Sequence, residues 1–145
     1  MRRLIARYKT LTRAERSLLL RAWVILAALR VGIRVIPFGV LQRWIEHLRA
    51  TAGAKVDPDQ PTVSTVVWAI AAASRRIPGT TCLPRAMAAH LLLGRCLQPS
   101  VLRLGVALKP DGALEAHAWV DVAGQVVIGR IDDFDRFIPL QSQAA

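Results

Sequence analysis

The stretch VLRLGVAL at Val101–Leu108, KPDG at 109–112, LEAHAWVDV at Leu114–Val122 and QVVIGRI at Gln125–Ile131 decides the fold. In its first run Leu102, Leu104, Val106 and Leu108 alternate with Val101, Arg103, Gly105 and Ala107, the period of two of a β-strand. Lys109-Pro110-Asp111-Gly112 and Ala123-Gly124 are turn sequences, so the three apolar runs read as an antiparallel meander. Upstream of Pro99 the spacing is helical. Helices followed by antiparallel strands predict an α+β architecture.

Immediately before the strands, CLPRAMAAHLLLGR at Cys82–Arg95 reads as a helix. Its start is fixed by IPGTT at Ile77–Thr81, a loop by its Pro-Gly pair, and by Pro84, which fits only a first turn, where no intrahelical N–H is needed. Cys82 is thereby placed at a helix N-terminus. Val66, Val67, Ile70 and Ala73 predict another helix over Val63–Arg76. Further upstream, Thr12 and Glu15 have capping-box spacing, and Leu18, Leu19, Ala22, Trp23, Leu26 and Leu29 predict a helix over about 13–34. Pro37 and Phe38-Gly39 end it, and Leu41, Trp44, Ile45 and Leu48 carry a second one to about Arg49. ATAGAKVDPDQ at 50–60 is linker-like, which divides the chain into a basic helical lobe at 1–50, a core at 61–140 and a frayed tail at 141–145.

With 145 residues, 53% hydrophobic and 21% charged, the chain fits one compact core and excludes both disorder and two large domains. The net charge of +10 is uneven: residues 1–50 carry eleven Lys/Arg against Glu15 and Glu46, while residues 111–145 are net acidic. Such a field favours acidic partners without specifying a reaction. Two cysteines, Cys82 and Cys96, are too few for a disulfide scaffold, and on one helix they stand about 21 Å apart, beyond bridging. Arg21, Arg30 and Arg34 interrupt the apolar run Ser17–Phe38, which argues against a spanning helix and against a signal peptide. The expectation is a cytoplasmic bacterial protein with peripheral membrane contact.

At the start of a helix, unpaired N–H groups and the positive dipole end favour an anion, which is the setting of a nucleophilic thiolate. The bland alternative for Cys82 is a small thiol filling a helix–loop joint. His117 lies in Ala116-His117-Ala118-Trp119-Val120-Asp121, on one strand face with Trp119 and Asp121. By itself a strand histidine is more often structural than catalytic. His90, eight positions after Cys82 on the same helix, is about 12 Å along the axis and out of reach of the sulfur; His47 reads as solvated. A cysteine peptidase needs a thiol to attack, an imidazole to move the proton and a group to hold the imidazole tautomer. Two Cys and three His without ligand spacing, and no Gly-rich phosphate loop, predict chemistry without metal or cofactor.

PGTTCLPRA at Pro78–Ala86, Leu104-Gly105-Val106, AHAWV at Ala116–Val120 and FIPL at Phe137–Leu140 resemble the protease component of lasso-peptide biosynthesis, which has a transglutaminase-like, papain-type core. The arginine-rich first fifty residues, with Ala14-Glu15-Arg16 and Pro37-Phe38, resemble its helical leader region. The resemblance implies removal of a leader from a ribosomal precursor, with a separate leader-recognition protein and an ATP-dependent cyclase as partners, and no nucleic acid. It implies Cys82 as nucleophile and His117 as general base. Family members commonly carry an acid about twelve residues after the histidine, where this sequence has Gly129. Hairpin register offers a substitute: a two-residue turn at Ala123-Gly124 pairs His117 with Arg130 and brings Asp132 to the same face, whereas a turn one residue longer favours Asp133. Asp121, about 13 Å along the strand, is too far. Asp132 is the expected third member. Trp119 or Trp68 is a candidate cleft wall, and Arg85 a leader contact or a solvated side chain.

Three other readings remain open at this stage. One is a non-catalytic basic module binding nucleic acid or a membrane surface, one a degenerate homologue, and one acyl transfer to an amine in place of water.

Overall fold

The computed structural model describes residues 10–52, 59–96 and 98–140; the tail and most of the expected linker lie outside the described residues. Among the described residues four helices precede a four-stranded sheet, α1 at Arg13–Val35, α2 at Phe38–Ala50, α3 at Val63–Ser74 and α4 at Cys82–Arg95. The strands are β1 at Val101–Leu108, β2 at Leu114–Val122, β3 at Gln125–Ile128 and β4 at Ile138–Leu140. The fold is α+β, as expected. Thr12 and Glu15 do form a reciprocal capping box, with the Glu15 amide donating to Thr12 Oγ1 at 3.2 Å and the Thr12 amide to Glu15 Oε2 at 2.8 Å.

All strand pairs are antiparallel, in the spatial order β3-β2-β1-β4. β1 to β3 form the expected meander, and β4 is an additional short edge strand on β1, pairing Ile138 with Val106 and Leu140 with Leu104. Its three residues include Pro139 and all are exposed, so no periodicity announces it.

α4 is the centre of the core, with Ala86 to Leu93 buried without a break. One contiguous cluster joins Leu26 of α1, Ile45 of α2 and Ile70 of α3 to Met87 and Leu93 of α4 and to Ala118, Val120 and Ile128 of the sheet. Each fully buried Leu, Ile or Met contributes about 1.5–3 kcal/mol through its apolar burial. The other face of the sheet carries a small separate cluster of Ala107, Trp119 and Phe137, with Val126, Ile131 and Phe134 packed on it. The alternation along β2 therefore sends Ala118 and Val120 toward α4, and His117 and Trp119 to the opposite face.

His90, 4% exposed, ties α2 and the start of β1 to the buried length of α4. Arg49 Nη1 and Ser100 Oγ sit 2.8 and 2.9 Å from its Nδ1, and its Nε2 is 2.8 Å from Glu46 Oε1. An arginine can only donate, so Nδ1 accepts and the proton resides on Nε2, facing the carboxylate. Arg49 Nη1 also donates to the His90 carbonyl and, at 2.9 Å, to Ser100 Oγ.

Burial pulls the His90 pKa below its ordinary value of 6.5, with the Glu46 hydrogen bond opposing that shift and the Arg49 charge adding to it. The folded chain therefore binds fewer protons here than the unfolded one once the pH drops below about 6.5. Stability from this group is fully present above that pH and is lost as the pH falls toward the lower folded value. The melting temperature of the parent is expected to fall more steeply between pH 7 and 5 than that of His90→Gln, which has nothing to titrate. Equal slopes in the two proteins, measured by calorimetry, would contradict this account.

Candidate active site

Cys82 opens α4, partly buried against the main core. The N-cap is Thr81, whose side chain makes no capping hydrogen bond, unlike Thr12 of α1 and Thr62 of α3. The approach loop is braced by Thr80 Oγ1 donating to the Ile77 carbonyl at 2.7 Å. Cys96, at the other end of the helix, is 7% exposed, and burial pushes its thiol up although Arg21 and Arg95 act against the shift. Both cysteines are free.

His117 is opposite Gly105 on β1 and half-buried. Its ring lies 6.2 Å from that of Trp119, nearly parallel at 22°, and 5.3 Å from that of Phe137. Trp119 is 3% exposed and held edge-on by Phe134 at 4.9 Å, so the imidazole rests on a fixed aromatic floor. Nε2 lies 2.5 Å from the carbonyl oxygen of Gly129. A carbonyl only accepts, so Nε2 carries the proton and Nδ1 presents its lone pair. That is the tautomer a general base needs, and here a main-chain oxygen sets it.

The register extrapolated from the hairpin needs correction beyond Asp121. Val122 pairs with Gln125 and Asp121 with Val126, as a two-residue turn requires, but Val120 pairs with Ile128. Val127 is an extra residue, a bulge that shifts the ladder by one, and β3 stops at Ile128, not at Ile131. Gly129 then turns at φ +91°, directing its carbonyl to the imidazole. His117 therefore has no strand partner at Arg130, and Asp132 is not brought to it. Asp132 is exposed and makes no hydrogen bond or ion pair to another described residue. Asp133 is engaged by Arg136 Nε at 2.6 Å, and Asp121 by Arg103 Nε at 2.7 Å.

The two chemical groups come from elements that share one core, but α4 packs on the Ala118 and Val120 face while His117 projects from the Trp119 face. No hydrogen bond joins Cys82 and His117 among the described residues. Sequence reasoning missed the Gly129 carbonyl, because a main-chain acceptor leaves no side-chain signature. The signal that pointed to it was the glycine itself, standing where an acid is expected. It also missed the Glu46–His90–Ser100 network, whose signal was a histidine on an otherwise apolar helix face.

The family model of the transglutaminase-like superfamily matches residues 23–142, from within α1 through β4. No curated protein and no solved structure matches significantly.

Proposed function

Because the chain belongs to the transglutaminase-like superfamily, which includes cysteine proteases and transglutaminases, we propose that it is a cysteine peptidase that removes the leader from a ribosomally made lasso-peptide precursor. The observation that carries the reading is the His117 tautomer: Nε2–H is committed to the Gly129 carbonyl, leaving Nδ1 as a base on the strand against which the Cys82 helix packs.

In this mechanism His117 Nδ1 takes the Cys82 thiol proton as Sγ attacks the carbonyl carbon of the leader–core bond. The oxyanion of the tetrahedral intermediate is met by the backbone N–H of Cys82, at a helix start without a side-chain cap. Collapse breaks the C–N bond, the core amine leaves with the proton from His117, and the leader remains as a thioester on Cys82. Water, deprotonated by His117, then releases the leader as a carboxylate and restores the thiol. Because α4 packs on the Ala118 and Val120 face of the sheet and His117 projects from the other, this mechanism requires His117 or the start of α4 to move on substrate binding until Sγ and Nδ1 meet.

The partner we assign is a leader-recognition protein, with a cyclase acting on the released core. Leu20, Val24, Val31 and Val35 form an exposed apolar stripe on α1, flanked by Arg21 and Arg34 and bordered by Trp23. Apolar anchors inside a basic rim suit an acidic protein surface. No helix among the described residues is long and apolar enough to cross a membrane.

The lack of a Cys82–His117 hydrogen bond supports one second reading, a homologue that has lost turnover. Mass spectrometry of a cognate precursor, incubated with this protein and its recognition partner beside a Cys82→Ala control, separates the two. Scission of one peptide bond with addition of water, absent in the control, is the expected result. An uncut precursor that demonstrably binds the partner overturns the peptidase reading, and a product joined to an amine replaces hydrolysis by acyl transfer.

A further inference from the structure

The side of the sheet on which α4 packs is not covered along its whole length. Leu102 and Leu104 of β1 and Ala118 and Val120 of β2 belong to the main core or pack against it, and the cover stops there. Beyond it Leu108 stands opposite Leu114, Val106 opposite Ala116 on one side and Ile138 of β4 on the other, while Leu140 stands opposite Leu104. Directly opposed residues of an antiparallel pair share a face. Val106, Leu108, Leu114, Ala116, Ile138 and Leu140 therefore form one apolar surface without a charge. Leu114, Ile138, Leu108 and Leu140 are 73%, 70%, 67% and 51% exposed. An exposed apolar patch of this kind marks a binding surface.

The surface lies past the Cys82 end of α4. The helix ends at Arg95, yet Ser100 Oγ is back beside His90, 2.9 Å from its Nδ1, so the chain has reversed before β1 begins. From His90 to Cys82 is about 12 Å along the helix axis, a distance that a strand covers in about four residues. β1 thus draws level with the thiol near Leu104, where the core cover ends. Val106, Leu108 and their cross-strand partners run on beyond it, on the side of the sheet that carries Cys82.

We infer that this bare sheet face holds apolar side chains of the substrate chain next to the bond that Cys82 attacks. A second copy of this chain is too large an occupant, because a stable protein interface takes about 20–30 residues a side, several times what this face offers. The segment that follows β4, Gln-Ser-Gln-Ala-Ala at 141–145, has no large apolar side chain to lay on it. A short extended peptide fits, since it turns alternate side chains to one face, and a charged side chain buried here would find no partner. Pro139 brings no N–H to the outer strand, so the contact is made by side chains and not by a fifth strand. Its use by a substrate rests on the peptidase reading, whereas the apolar face beside Cys82 does not.

The test reads alkylation of Cys82 and needs no turnover. The intact protein is treated with acetyl-leucyl-leucyl-glycyl chloromethyl ketone or with its triglycyl counterpart, and the rate at Cys82 is followed by peptide mapping, with glutathione as the free-thiol reference. The leucyl-to-glycyl rate ratio should exceed that of glutathione roughly tenfold, which burial of a single leucine side chain is enough to supply. Leu114→Ser and Ile138→Ser, both at exposed positions, should each lower that ratio while leaving the triglycyl rate unchanged. Leu20→Ser, at an equally exposed position on α1, should leave the ratio alone. If a variant does not fold, the parent still decides: millimolar acetyl-leucyl-leucine amide should slow the leucyl reagent and not the triglycyl one. A ratio equal to that of glutathione, a ratio unmoved by both substitutions, equal slowing of the two reagents, or a Cys82 closed to both overturns the inference. A dimer in sedimentation that Leu114→Ser dissolves gives the face to a second copy and overturns it as well. A raised ratio together with an uncut precursor keeps the apolar subsite and removes only the peptidase reading.

Discussion

Gly129→Asp, which places an acid where the resembled peptidases commonly carry one, is expected to destabilise the protein by about 3 kcal/mol or more and to complete no triad. The backbone at Gly129 has φ +91°, a region that disfavours any side chain by roughly 1–2 kcal/mol. A Cβ would also stand 2.6 Å from the Ala118 carbonyl oxygen and 2.8 Å from Trp119 Cβ, atoms of the neighbouring strand that have little freedom to retreat. Overpacking of that kind costs about 1–3 kcal/mol more. For a chain of this size the melting temperature should fall on the order of 10 °C. Gly129→Ala should fall nearly as far, because the penalty begins at Cβ. A melting temperature within about 2 °C of the parent for both variants, by circular dichroism, would show that Gly129 is not packed on β2 as described.

The same position shows where the sequence was readable and where it was not. Thr12 and Glu15 mark the start of α1, and the Pro-Gly loop with Pro84 sets the start of α4 at Cys82, because caps and prolines act within a few residues and need no tertiary information. The change to alternation at Val101 likewise identifies the sheet. What one chain cannot reveal by periodicity is a single inserted residue in a ladder. Val127 is valine among valines, yet the bulge it creates ends β3 early and substitutes a carbonyl for the expected Asp132. A one-residue slip reverses every side chain beyond it. β4 was hidden for a different reason, since a three-residue edge strand with a proline has too few positions to alternate. His90 was legible only as too distant from Cys82. Its buried network depends on Glu46, Arg49 and Ser100, which no spacing rule groups with it.

On the peptidase reading proposed above, His117→Gln is expected to lower the rate of precursor cleavage by about 10²–10⁴-fold, the usual contribution of a positioned general base, while Asp132→Asn leaves it within about twofold. Glutamine retains an N–H for the Gly129 carbonyl and much of the contact with Trp119 and Phe137, so the melting temperature should move little. What it loses is the Nδ1 lone pair. A neutral carbonyl behind the imidazole fixes the tautomer and orientation but brings no negative charge to the imidazolium formed after proton transfer, which a carboxylate would supply. On the same reading the parent protein should accordingly be slower than a relative with an intact acid, and its rate should depend on His117 alone among the ionisable groups of β2 and the loop after β3. Single-turnover cleavage of the precursor by the parent and the two variants, at matched folding, decides this. A large loss in Asp132→Asn would bring the acidic loop into the site during turnover. An unchanged rate in His117→Gln would mean that whatever activates Cys82 lies elsewhere.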